Sequence, residues 1–278
     1  MVRIARVFPR KTNATPVDEH AFYGPPPEGC EWGEYDQIHI SIAFTYDIEK
    51  ANEMADRWSK VSYVSMGGPA LNSRGGDFIP GMYLKPGYVI TSRGCPNDCW
   101  FCSVPKREGG IRELPIVEGY NILDSNLLAC SDQHIQKVFE MLGRQSEKAE
   151  FTGGLEAKIL KDRHVSMLWD LKPRSVFFAY DTLDDLEPLI EAGKKMRYAD
   201  FTRYHLRCYV LIGWPKDTFE EAQKRLLQAW KAGFLPVAML WKDHQGNTDK
   251  QWARFQRSWC RAPATKAQVK EIYNKEKK

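Results

Sequence analysis

From residue 88 onward, short apolar runs rich in β-branched and aromatic residues alternate with longer stretches whose apolar residues recur every three to four positions. The runs Tyr88–Thr91, Tyr120–Leu123, Ala149–Thr152, Ser175–Tyr180, Leu206–Ile212 and Pro236–Leu240 have strand length and strand composition. Helical spacing falls between them, over Gln133–Gly143, His164–Leu171, Leu183–Met196 and Asp217–Ala232. In the last of these, Asp217 or Thr218 can cap the start and Glu220 and Glu221 suit the positive end of the helix dipole. Gly233 can end it. Six strands alternating with helices predict parallel βαβ units. The pattern alone does not separate an open sheet from a barrel.

Residues 1–85 read differently. Gln37–Ala43 alternates as a strand, Ile48–Trp58 has helical spacing, and Val61–Met66 is a second strand ending at Gly67 and Gly68. This predicts one βαβ unit, an N-terminal extension ahead of a main domain at 86–260. The remaining stretch, 261–278, carries six basic residues (Arg261, Lys266, Lys270, Lys275, Lys277, Lys278) against Glu271 and Glu276. That balance equals the net charge of +4 for the whole chain, so residues 1–260 are formally neutral. The basic bias belongs to a tail, expected to be a solvated or disordered end, and not to a groove that would grip nucleic acid.

At 278 residues, with 43% hydrophobic and 27% charged residues as in ordinary globular proteins, the chain is long enough for one sizeable core or a domain and a half. No run approaches the roughly 18 apolar residues of a membrane span. The first ten residues lack the apolar stretch of a signal peptide. Cys30, Cys130, Cys208 and Cys260 are scattered, with no disulfide framework. A cytoplasmic protein with no membrane partner is expected.

Cys95, Cys99 and Cys102 change the picture. They follow the first strand of the repeated units, in a loop begun by Gly94 and Pro96, which favour a turn over a continuing strand. Their spacing supplies three thiolates from one short loop. A 4Fe–4S cube ordinarily takes four cysteines, so three leave one iron without a protein ligand, and an open position is where a metal centre performs chemistry. Zinc would need a fourth ligand, and no His or Cys follows within the next 25 residues; the nearest are Cys130 and His134.

With Phe101 immediately before the third cysteine, the triplet resembles the signature of the radical S-adenosylmethionine (radical SAM) enzymes. The string from Thr91 to Gly109 is similar to the branch holding methylthiotransferases and cobalamin-associated members, and the whole chain to small uncharacterised radical SAM proteins of the kind tailed phages carry. The resemblance implies a six-unit partial TIM-type β/α barrel. It also implies a 4Fe–4S cluster on Cys95, Cys99 and Cys102, and S-adenosylmethionine on the open iron. Reductive cleavage then gives a 5′-deoxyadenosyl radical that abstracts a hydrogen atom. The electron would come from a donor such as flavodoxin or ferredoxin. The substrate, a small molecule or a nucleic acid, is left open.

Other residues are candidates for the cofactor. Gly153, Gly154 and Glu156, at the end of the third strand, could allow close approach of a ligand or form a simple turn, and the resemblance implies that they meet the methionine part. Asp124 and Asn126, past the second strand, and Tyr180 and Asp181, past the fourth, could hold ribose or substrate or merely cap helices. Gly213 and Phe101 are expected to flank the adenine, by resemblance. Cys130 could face the cavity as a hydrogen-atom donor or an extra ligand, or be an ordinary buried thiol. The extension is similar to the last piece of a cobalamin-binding domain, but the associated DxHxxG pattern is not met: Asp18 and His20 are followed by Gly24 one place late. Cobalamin is therefore not expected. The reading from a different class is a non-catalytic iron–sulfur or zinc sensor.

Overall fold

The computed structural model describes residues 2–276. It opens with β1 (Ile4–Val7), β2 (Ala21–Phe22), β3 (Gln37–Ser41), helix α1 (Ile48–Trp58) and β4 (Val64–Gly67). These form a four-stranded sheet in the order β2-β1-β3-β4, with every pair parallel. Alternation along β3 explains its place. Ile38 and Ile40 turn to one face and are buried with Ile42 against Ala51, Met54 and Trp58 of α1. His39 and Ser41 turn to the opposite face.

The sheet has two more strands than the expected βαβ unit. At four and two residues, β1 and β2 are too short to show a period of their own; they exist through pairing, Ile4–Val7 against Gln37–Ile40 and Arg6–Val7 against Ala21–Phe22.

The second sheet holds β5 (Tyr88–Val89), β8 (Asn121–Ile122), β9 (Glu150–Leu155), β10 (Ser175–Ala179), β11 (Leu206–Ile212) and β12 (Leu235–Leu240). They run in the order β5-β8-β9-β10-β11-β12, again all parallel. Each strand lies beside the next one in the chain, with no reversal of order. The connections carry α3 (Asp132–Gly143), α4 (Asp162–Leu171), α5 (Leu186–Tyr198) and α6 (Phe219–Lys231), as parallel crossovers require. Strictly alternating burial along β11 places Leu206, Cys208, Val210 and Ile212 in the core with Leu226 and Ala229 of α6.

Between β5 and β8 lies a piece the hydrophobic pattern does not reveal. β6 (Ser92–Arg93) pairs antiparallel with β7 (Arg112–Glu113), and the short helix α2 (Val104–Glu108) sits between them. At the other end, α7 (Lys250–Ser258) and α8 (Ala262–Glu276) follow β12. The expected solvated or disordered tail is thus largely α8, anchored by buried Thr265 and Val269; Lys277 and Lys278 lie outside the described residues. Among the described residues no helix is long and apolar enough to cross a membrane.

Candidate metal and cofactor site

The loop carrying the three cysteines is pinned at both ends. Just past β5, Thr91 donates to the Asp124 carboxylate through its backbone N–H and its hydroxyl, and Ser92 donates through its hydroxyl, each at 2.6 Å. Asp124 is 1% exposed, and burial raises its pKa against the pull of these hydrogen bonds. The β6–β7 pair then closes the base of the loop. Gly94 sits there at φ +88°, and a Cβ on it would collide with the Gly110 carbonyl. Cys95 N–H donates to Gly109 O at 3.1 Å, and Cys102 N–H donates to Cys99 O at 2.9 Å, turning the chain into α2.

All three thiols are partly exposed. The pKa values of Cys99 and Cys102 are raised, first by burial. Cys99 is raised further by the neighbouring Cys102 and Cys95, and Cys102 by Cys95. Among the described residues no three His, Cys, Asp or Glu side chains converge closely enough to hold a metal ion. The donor set itself suits an iron–sulfur cluster: three soft thiols on one loop, whose deprotonation metal binding would drive. A second observation lies beside Cys95. Asn126 Nδ2 is 3.5 Å from Cys95 Sγ and donates to Glu156 Oε2 at 2.6 Å, while Asn126 Oδ1 is buried and carries no hydrogen bond. A buried acceptor left without a donor costs about 1–3 kcal/mol, so it marks where a polar group would be welcome.

The remaining candidates divide. Asp181 stands on the cysteine side of the sheet end: its charge raises Cys99 and Cys102, it accepts the Leu211 N–H at 2.8 Å, and burial pushes its pKa to about 6. Tyr180 turns the other way. It is fully buried and its hydroxyl donates to Gln228 Oε1 at 2.8 Å, between sheet and α6, so it belongs to the core and not to the ligand face.

Gly153 and Gly154 form an irregularity in β9, where Phe151 and Leu155 pair with Val176 and Phe178 only two residues apart on β10. A Cβ at Gly153 would reach the backbone of Leu123 and Asp124, which accounts for that glycine by packing; Gly154, at φ +95°, faces open space. Gly213 N–H donates to Asp217 at 2.8 Å. Cys130 is buried and burial pushes its thiol up to about 11, a value suited to an inert sulfur. Phe101 is partly buried beside Trp100, with ring centroids 5.4 Å apart.

Two constellations at the site were not legible in the chain. The Trp100 indole meets Trp214 edge-on at 5.9 Å, Arg225 lies over Trp214 at 4.3 Å, and Asp217 holds Arg225 at 2.7 Å with both charged side chains buried. The second is Glu108, buried at the end of α2 and surrounded by Arg107 at 3.1 Å, Arg112 at 3.6 Å and Arg93 at 3.9 Å. The run of Arg107, Glu108 and Arg112 hinted at it; Arg93 joins only through the fold.

No family model matches the chain. It is similar to ribosomal protein uS12 methylthiotransferase RimO of Stutzerimonas stutzeri (24% identity over 174 residues, 56% of this chain and 38% of the relative). The same protein from Mannheimia succiniciproducens is 26% identical over 164 residues (54% and 37%), and that from Brucella canis 25% over 176 residues (56% and 38%). The chain thus spans less than two fifths of the length of these relatives. This weak homology is to a radical SAM family; it supports the superfamily and not a particular branch.

Proposed function

We propose that the chain is a radical SAM enzyme in which Cys95, Cys99 and Cys102 hold a 4Fe–4S cluster and the iron without a cysteine binds S-adenosylmethionine. The observation that carries this reading is three partly exposed thiols on one loop pinned through Asp124, directly after the first strand of a consecutively ordered parallel sheet. Distant homology to the methylthiotransferases supports it. A sheet whose neighbours follow chain order without reversal suits a partial six-unit β/α barrel better than a doubly wound sheet, where the order reverses.

Cluster and cofactor, once bound and given an electron by a donor such as flavodoxin or ferredoxin, supply a 5′-deoxyadenosyl radical. The chain's own residues provide the setting. Asp124 and the β6–β7 pair hold the loop in place. Asn126, linked to both Cys95 and Glu156, fixes the polar edge of the site, and Gly154, Asp181 and Gly213 would help to hold the cofactor. Trp100 and Trp214 would form one side of the site, and Phe101 would serve the adenine.

The test is anaerobic reconstitution with iron and sulfide, followed by reduction in the presence of S-adenosylmethionine. Formation of 5′-deoxyadenosine and methionine is expected, and Cys→Ser at 95, 99 or 102 should abolish it along with iron retention. Failure of the wild-type protein, where a control enzyme succeeds, would sink the reading. A cluster that forms without any change in its electron paramagnetic resonance spectrum on adding S-adenosylmethionine would favour a sensor.

A further inference from the structure

We infer that the cavity between the two sheets is the substrate chamber and that it takes a small organic anion with an apolar body; the word substrate rests on the radical SAM reading, the binding site does not. The cavity encloses about 600 Å³, within the range of small-molecule sites. Its location is the strongest argument. In the N-terminal sheet, β1 pairs with β2 on one side and β3 on the other, so the strand order reverses between β1 and β3. A parallel sheet has an open crevice at such a switch point, beyond the carboxyl ends of its strands, and ligands bind there. Phe8 and Arg10 after β1, Ala43 and Phe44 after β3, and Gly67 and Gly68 at the end of β4 all line this cavity.

The opposite wall belongs to the second sheet. Ile90 and Ser92 beyond β5, and Leu123 and Ser125 beyond β8, line the same space. These residues lead directly to the thiols. Arg93, also in the wall, is two residues from Cys95, and Ser125 precedes Asn126, whose amide is 3.5 Å from Cys95 Sγ. The carboxyl ends of both sheets therefore meet on one chamber that borders the cysteine loop.

The lining defines the ligand's chemistry. Phe44, Phe78, Ile79 and Ile90 offer an apolar surface for a flat or branched body. The charges offer a place for an anion. Asp47 and Glu108, the buried carboxylates of the wall, are already engaged: Arg10 binds Asp47 through two N–H groups at 2.9 and 3.0 Å, and Glu108 is shared by three guanidiniums and the Gly75 N–H. Arg93 and Arg107 of that cluster line the chamber with Arg10 and Arg74, four cations against the carboxylates of Asp47, Glu108 and the exposed Asp77, so the lining carries one positive charge in excess. Asp124, the other carboxylate Arg93 senses, is committed to Thr91 and Ser92. Arg74 lines the chamber, exposed and with no ion pair among the described residues. No cysteine lines it, and both ring nitrogens of its histidine, His39, are engaged, by Tyr83 and Gln37. The donor set suits a carboxylate, sulfonate or phosphate monoester and not a metal ion.

The probe for this inference is anilinonaphthalenesulfonate, an aromatic anion that fluoresces in apolar sites, with uncharged phenylnaphthylamine as its control. On the purified full chain we expect one sulfonate probe per molecule. Arg74→Glu, on an exposed side chain that does not threaten folding, should weaken the anion about tenfold and leave the uncharged control within about twofold. At Gly67 an added Cβ meets nothing within 4 Å, so Gly67→Phe can fill the chamber, and it should abolish both. A single-stranded RNA of mixed sequence should not displace the probe; displacement would overturn the small-molecule assignment. Binding that ignores both substitutions would overturn the chamber itself. The assay needs neither cluster nor cofactor, so the two readings fail separately. One-site anion binding without S-adenosylmethionine cleavage would overturn only the radical reading and with it the word substrate. Cleavage with probe binding indifferent to both variants would overturn only the chamber.

Discussion

Trp100, in the middle of the cysteine loop, touches Trp214, just beyond β11, with ring centroids 5.9 Å apart. The contact joins the loop that follows the first strand of the main sheet to the end of the fifth, across three intervening strands. It braces the cysteine loop through a side chain that is otherwise largely open, Trp100 being 59% exposed.

Trp214→Ala should remove the edge-on contact and the platform under Arg225 together. Stability should fall by about 1–2 kcal/mol, the sum of an aromatic pair and a cation–π contact. Hydrogen exchange across residues 95–102 should accelerate, with Trp214→Phe close to wild type. Unchanged exchange in the alanine variant would mean that Trp214 does not order the loop.

Asp217 and Arg225 form a buried pair, their side chains 1% and 7% exposed. Asp217 also accepts the Gly213 N–H and Arg225 also donates to Leu211 O. Removing Asp217 alone should cost about 3–5 kcal/mol in urea denaturation, since it strands a buried guanidinium. Asp217→Leu combined with Arg225→Met should recover a substantial part. Additive losses in the double variant would contradict this account.

Asp124→Ala leaves three donors at Thr91 and Ser92 without their acceptor. A loss of about 3 kcal/mol or more is expected, at about 1 kcal/mol or more per stranded group. Iron retained per chain after reconstitution should fall as the loop loosens, with Asp124→Asn between the two. Full iron retention by the alanine variant would show that the latch does not position the cysteines.

His164 is buried at the start of α4, where its Nδ1 accepts the Lys161 N–H, and burial lowers its pKa to about 4. The unfolded imidazole takes a proton below about pH 6.5, whereas the folded one resists down to about 4. The stabilisation is thus complete above the unfolded value and is lost as pH falls through this window, by about 3 kcal/mol in all. Denaturation measured at about pH 7 and about pH 5 should show the decline in the wild type and a shallower slope in His164→Gln. Equal slopes would remove His164 as the cause.

Much of the main domain was legible because each strand there is short, apolar and followed by a helix with its own period. The cysteine triplet was legible because its three thiols lie close together in the chain. The pattern offers Asp217 or Thr218 as the cap of α6; Thr218 takes that place, accepting the Glu221 N–H at 3.2 Å, while the Asp217 carboxylate serves Gly213, Arg225 and the Thr218 N–H. The turning of Tyr180 into the core was not legible, because one residue at the end of β10 decides which way a side chain points. β1 and β2 were invisible for a related reason: strands of four and two residues carry no period and are made by their neighbours.

The sequence by itself determined that three thiols share one loop and that six strands alternate with helices, because both depend on neighbours along the chain. The tertiary structure alone decided what surrounds them. Asp124 reaches back to Thr91 and Ser92, Arg93 joins Glu108, Trp214 meets Trp100, and the ends of two separate sheets enclose one chamber. Each of these joins residues far apart in the chain or on different elements. They are set by strand order, register and twist, which local spacing does not encode.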